Sequence, residues 1–106
     1  MDARGSDWSQ QDLGQRDLSS SLLCRCNLRG SDLSQCKLEG ADLRLAVYDS
    51  STKFPENFDY QNSGAVGPGA KLNGAFLNNA DLRGVDLRKA VLMGAYLSGT
   101  DLSGAI

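Results

Sequence analysis

A leucine recurs at every fifth residue through most of this chain, and a period of five suits neither of the common secondary structures. Written in fives from Ser6, the sequence runs SDWSQ, QDLGQ, RDLSS, SLLCR, CNLRG, SDLSQ, CKLEG, ADLRL, AVYDS. After an interruption it resumes at Ala70 as AKLNG, AFLNN, ADLRG, VDLRK, AVLMG, AYLSG, TDLSG, followed by Ala105 and Ile106. The third place holds Trp8, then leucines from Leu13 to Leu43, then Tyr48, and in the second block leucines from Leu72 to Leu102. First places are mostly Ala, Ser or Cys, and second places are often Asp. A helix needs apolar spacings of three and four, and a strand needs alternation by two. Glycine at fifth places such as Gly30, Gly40 and Gly94 also argues against helix interiors. The pattern predicts a chain that turns a corner every five residues. Its large third and small first residues point inward, and the other three face water.

These fives resemble the pentapeptide-repeat family, whose motif is A(D/N)LXX, over residues 6–50 and 70–106. The resemblance implies an all-β fold, a right-handed quadrilateral parallel β-helix in which four fives make one coil. The nine and seven repeats then form about four coils of one domain, 1–106, a rod roughly 20 Å tall. On that geometry Trp8 stacks on Leu28 and Tyr48, Leu18 on Leu38, and Leu82 on Leu102. A single coil of a solenoid buries little by itself, so stability comes from stacking against neighbours. A buried leucine contributes about 1.5–3 kcal/mol, which makes the leucine column the main source.

Two stretches depart from the pattern. Gln11 and Arg16 stand at first places, and an unpaired arginine cannot enter so narrow a core. Residues 1–20 are therefore expected to be either a distorted capping coil or a frayed end. The stretch 49–69, DSSTKFPENFDYQNSGAVGPG, shifts the phase and holds both prolines together with Phe54, Phe58 and Tyr60. It is expected to be a loop insertion, and TKFPENFD resembles insertions in cyanobacterial members of the family. Two readings of its aromatic residues stand open. They fold back onto a solenoid face, or they form a recognition loop for a partner.

The chemistry of the remaining side chains points away from catalysis. The chain has no histidine, the commonest general base and metal ligand. Its serines lie at repeat positions without an activating partner. Its aspartates recur at outward second places, where Asp42–Arg44, Asp81–Arg83 and Asp86–Arg88 balance charge locally. Cys26 and Cys36 read as small buried residues at first places, whereas Cys24 faces outward and is the most reactive thiol by position. The three spacings match no zinc pattern, so no metal and no cofactor is expected. A net charge of -2 lacks the basic face of a nucleic-acid binder. It is also too weakly acidic to imitate a DNA backbone along its length. No apolar run is long enough to span a membrane, and the simplest location is the cytoplasm. A thylakoid-lumen or periplasmic form, its leader removed, is the alternative.

One outward cluster is apolar. Phe76 and Tyr96 stand twenty residues apart at second places, with Val91 and Met93 on the adjoining repeat. Outward apolar groups clustered in this way often mark a contact surface. The expected function is a protein-interaction or scaffold module without catalytic activity. A DNA-mimicking topoisomerase regulator and a structural solenoid without a specific partner are the alternatives. The expected partner is another protein, with a coil end as a candidate homodimer contact and no role for nucleic acid or membrane.

Overall fold

The computed structural model describes residues 1–106. Its backbone is a stack of parallel single-residue bridges, one on each side of a four-sided coil. One side carries Asp2, Leu22 and Asp42, and the next carries Asp7, Asn27, Val47 and Val66. The third side holds Asp12, Asp32 and Lys53, and the fourth Asp17 and Lys37. In a second block, Lys71 pairs with Val91, Phe76 with Tyr96 and Asp81 with Asp101. Most of these partners lie twenty residues apart, the register of four fives per coil that the leucines predict.

The five-residue unit satisfies its own backbone. The Leu23 N–H donates to the Asp42 carbonyl at 2.8 Å, and the Asp42 N–H donates back to Ser21 at 2.9 Å. At the corner, the Cys26 N–H closes onto the Leu23 carbonyl at 3.1 Å. The second-place aspartate turns out to be structural as well as solvating. Its carboxylate accepts the N–H two residues on, from Gly14 to Asp12 at 2.9 Å and from Ser34 to Asp32 at 2.9 Å. This is the Asx-turn that Asp and Asn make readily, and it satisfies a donor the ladder leaves free. The ion pairs read from the sequence also form, Arg44–Asp42 at 2.6 Å, Arg83–Asp81 at 2.8 Å and Arg88–Asp86 at 2.7 Å. The third-place leucines from Leu13 to Leu43 and from Leu72 to Leu82 are buried, with small first-place residues such as Ser31 and Ala46 packed between them. The Ser31 hydroxyl donates to the Leu28 carbonyl at 2.7 Å, so its burial leaves no polar group unpaired.

The repeat begins earlier than the leucines indicate. Asp2 bridges Leu22 and Ala3 is buried at a third place, so residues 1–5 form a full unit with alanine in place of leucine. The first coil is regular rather than distorted or frayed, with Lys37 N–H donating to the Arg16 carbonyl at 3.1 Å. Gln11 and Arg16 are exposed. Their side chains lie in water and not in the core. Trp8 packs against the core at this end, and Leu13 and Leu18 beside it are buried. At the opposite end of the stack, Leu97 and Leu102 each keep 37% exposure.

The stretch 49–69 is not an inserted loop. Ser51 adds one residue at a corner, and Lys53 then resumes the ladder against Asp32. Asp49 repairs the break, its carboxylate accepting the Gly30 N–H at 3.0 Å. The Thr52 hydroxyl donates to the Leu28 carbonyl at 2.8 Å. Residues 65–69, AVGPG, form another complete unit, since Val66 bridges Val47 and Ala65 is buried at its first place. The irregular part shrinks to 57–64, with one short 3-10 turn at Tyr60–Asn62. The units at 1–5 and 65–69 escape a search for leucine because Ala3 and Gly67 hold their third places.

Nor is the molecule a single rod of about four coils. The first block has three coils and the second has two, as the bridges through Asp2, Leu22 and Asp42 and through Lys71 and Val91 count them. The extents are 37 × 23 × 22 Å, longer than the roughly 25 Å that five stacked coils would reach. After Gly67, Pro68 and Gly69 the second block leans against the outer side of the first. Val47 points outward from its coil yet is only 9% exposed. The Arg29 guanidinium donates to the Arg83 carbonyl at 3.4 Å, across 54 residues of sequence. In the first coil of this block Leu72, Leu77 and Leu82 are as buried as the leucines inside the first block, and Leu87 is partly buried.

Candidate interaction surface and cleft

Two parts of the surface stand out against the repeat. The first is the outward aromatic pair. Phe76 and Tyr96 stack with ring centroids 5.0 Å apart and planes 10° from parallel. Phe76 is 76% exposed, Tyr96 53%, and neighbouring Met93 77% and Val91 39%. The stretch 49–69 does not cover these residues. At second places such as Asp12 and Asp32 a carboxylate caps the turn, and neither ring can accept that bond. Two units have given up a cap to display aromatic surface.

Phe54, Phe58 and Tyr60 have a different environment. Phe54 and Tyr60 stack at 4.7 Å and 9°, and Tyr48 meets both edge-on, at 5.5 and 5.3 Å. Phe58 lies 5.9 Å from Phe54. All three are half-buried against the core, where they roof the open end of the first block. Burial holds the Tyr48 phenol well above its usual range, and its hydroxyl donates to the Pro68 carbonyl at 2.8 Å.

The second feature is the cleft where the blocks meet, which the sequence did not signal as a site. One lobe, about 450 Å³, is lined by Arg25, Arg44 and Leu45 on one side and Phe76 and Leu77 on the other. A second lobe of about 330 Å³ shares Arg25 and Leu45 and continues to Arg29, Asn79 and Asp81. Arg44 is paired with Asp42, and Asp81 with Arg83. The remaining ion pairs involve Arg4, Arg88 and Asp101, so Arg25 and Arg29 form no salt bridge. The Arg29 guanidinium donates to Asn27 Oδ1 and to the Arg83 carbonyl, both at 3.4 Å. The hydrogen bond from the Arg83 side chain, helped by the Arg29 charge, holds the Asp81 carboxyl down at about 2, so it stays ionised.

Cys24 also borders the cleft, but burial pushes its thiol pKa up. The structure thus opposes the reactivity expected from its outward position, since a thiol reacts as the thiolate. Cys26 is buried and its thiol donates to the Ala3 carbonyl at 2.9 Å, and Cys36 is buried as well. No group of three His, Cys, Asp or Glu side chains converges to hold a metal ion. No helix is long and apolar enough to cross a membrane.

Comparison with known proteins adds the following. A family described as pentapeptide repeats matches residues 17–47 and 70–106 in 8 copies. Among solved structures, the chain is similar to a pentapeptide repeat protein from Nostoc PCC 7120, with 26% identity and a TM-score of 0.45. That alignment covers 60% of this chain and 74% of the other. It is also similar to HetL of Nostoc sp. strain PCC 7120, described as involved in heterocyst differentiation regulation, with 31% identity and a TM-score of 0.40. There the alignment covers 99% of this chain but spans only 50% of HetL. A thylakoid-lumen pentapeptide repeat protein of Arabidopsis thaliana shows 28% identity and a TM-score of 0.39, over 97% of this chain and 62% of its own. No curated protein sequence matches.

Proposed function

The chain belongs to the pentapeptide-repeat family, whose members form right-handed quadrilateral β-helices, and from that premise we propose that it is a protein-interaction module working without catalysis. Its contact surface is the Phe76–Tyr96 stack, flanked by Val91 and Met93. The carrying observation is that two stacked rings, 76% and 53% exposed, stand at second places, where the repeat often puts a turn-capping aspartate. Large apolar side chains held in water are a cost to an isolated chain and an asset at an interface, where aromatic residues dominate binding energy. A rigid ladder beneath them keeps the pair ordered before a partner arrives, which lowers the entropy lost on binding.

The test is affinity capture from a native lysate with the wild type beside a Phe76→Asp, Tyr96→Asp variant. Aspartate is the residue the repeat itself uses at second places, so the variant retains its coils. The expected result is a defined protein retained by the wild type and lost by the variant, both having the same circular dichroism. Retention of the same protein by both would remove the aromatic pair from the interface. Light scattering on both samples reports whether the retained protein is a second copy of the chain.

A further inference from the structure

The corner column that borders the cleft runs Gly5, Arg25, Leu45, Gly64, one residue per coil, and every member has a positive φ, of 72, 61, 64 and 87°. Glycine adopts this left-handed conformation freely, whereas a residue with a side chain is strained there, most of all a bulky apolar one. Such strain persists where surrounding structure imposes it, and it gathers at ligand clamps. Arg25 and Leu45 are the two members of the column that forgo glycine, and they are also the two residues shared by both lobes of the cleft. Outside this column, Gln10, Ser20, Asn79 and Lys89 hold the same left-handed corner without glycine.

We infer that this cleft seats an extended acidic segment of a partner protein, with carboxylates on Arg25 and Arg29 and an intervening apolar side chain against Leu45 and Phe76. The inference rests on the reading of the chain as a protein-interaction module and names the chemistry of what it binds. Charge complementarity selects the sign of the occupant. Arg44 and Asp81 are matched within the molecule, whereas Arg25 makes no ion pair and Arg29, hydrogen-bonded to Asn27 and to the Arg83 carbonyl, makes no salt bridge. Arginine presents a fork suited to a carboxylate, which an incoming acidic side chain would complete. The order of the lining selects an extended chain. Arg25 and Arg29 lie on one coil, with apolar Leu45 and Val47 of the next coil along the same cleft. An extended segment presents alternate side chains to one face, roughly 7 Å apart. The first lobe opens onto Phe76, so a bound segment would run from the cleft onto the aromatic pair.

The test is fluorescence anisotropy with fluorescein-labelled peptides of alternating glutamate and leucine, of glutamine and leucine, and of lysine and leucine. The expected result is saturable binding of the glutamate peptide, at least about tenfold weaker binding of the glutamine peptide, and none of the lysine peptide. Arg25→Gly should weaken the glutamate peptide about tenfold, one charge-assisted hydrogen-bonded contact at roughly 1.4 kcal/mol per decade. The same change relieves the strained corner, so the melting temperature should be no lower than that of the wild type. A structural arginine would behave in the opposite way, lowering the melting temperature on removal. No binding of the glutamate peptide up to about 1 mM, a dissociation constant weaker than roughly 4 kcal/mol can hold, overturns the inference. Equal binding of the glutamine peptide, or of the glutamate peptide by Arg25→Gly, overturns it too. If the peptide fails while Phe76→Asp, Tyr96→Asp still loses its captured protein, the cleft falls and the aromatic surface stands. If the captured protein is unaffected while the peptide binds through Arg25, the aromatic surface falls and the cleft stands.

Discussion

The ring of Tyr48 fills the space that a side chain on Gly67 would need. A Cβ on Gly67 would lie 2.6 Å from the Tyr48 Cδ2 atom, well inside van der Waals contact. Tyr48 and Gly67 both hold third places, on adjacent coils of one side of the solenoid. One oversized residue and one absent side chain share the volume of two leucines. The Tyr48 hydroxyl then anchors Pro68 at 2.8 Å, at the point where the chain turns into its second block.

Gly67→Ala should therefore cost about 1–3 kcal/mol, the range for overpacking a full core. Tyr48→Leu should recover only the ring's share of that cost, because the Tyr48 carbonyl oxygen also lies 2.6 Å from the added Cβ. Urea unfolding of the two single variants and the double variant measures this as a coupling energy. Simple additivity of the single effects would mean that the two sites do not share a volume.

Leu82→Arg should abolish folding. Leu82 is buried within the second block, between Ala80 and Val85. A guanidinium there would have no partner, a change expected to exceed the stability of a domain this small. Loss of the native circular dichroism spectrum and of a cooperative melt is the expected readout. A variant with a native spectrum would contradict the inward direction of the leucines.

Acid should destabilise the fold in a defined window. The hydrogen-bonded Arg4, Arg83 and Arg88 side chains hold Asp2, Asp81 and Asp86 at about 2, against an ordinary 3.8. Asp42 is likewise lowered by the hydrogen bond from Arg44. A carboxyl depressed in the folded state adds stability above its unfolded value, and that stability is lost as pH falls through the folded value. The melting temperature should thus be flat between about pH 7 and 5 and drop between about pH 4 and 2. Asp81→Asn with Asp86→Asn should flatten the drop, since asparagine still caps the turn, as Asn27 does with Arg29 at 3.2 Å. The exposed pairs are screened by salt, so the effect should shrink as ionic strength rises. An unchanged profile in the asparagine variant would remove these pairs as its source.

Trp8→Ala should lower stability by about 2 kcal/mol, below the 3–5 kcal/mol of a fully buried tryptophan because Trp8 is only half-buried. The variant should expose Leu13 and Leu18, seen as increased binding of a hydrophobic dye. Trp8 is the only tryptophan, so its emission also reports directly on whether the first coil is closed. A red, water-like emission in the native protein would mean that the indole does not cover this end.

The coil was legible from residue order because each five-residue unit is locally complete. A leucine that must point inward, a small residue that must fit beside it and an aspartate that caps its own turn are requirements met within five positions. Phe76 and Tyr96 were found by adding the twenty-residue register to that rule, and they meet face to face at 5.0 Å. Ala3 and Gly67 hid two complete units, because the geometry there is held by backbone bridges rather than by a leucine. Gly67 becomes intelligible only once the ring of Tyr48 is seen in its place.

Period, inward columns and capping therefore belong to residue order, since bonds between near neighbours enforce them. The arrangement of the two blocks belongs to tertiary structure. It depends on contacts such as Arg29 with the Arg83 carbonyl, 54 residues apart, and on the burial of an outward-facing Val47. No local rule relates those positions, because the repeat is equally satisfied in a straight stack. The cleft, with its unmatched Arg25 and Arg29 and its strained Leu45, exists only after one solenoid has come to rest against the side of the other.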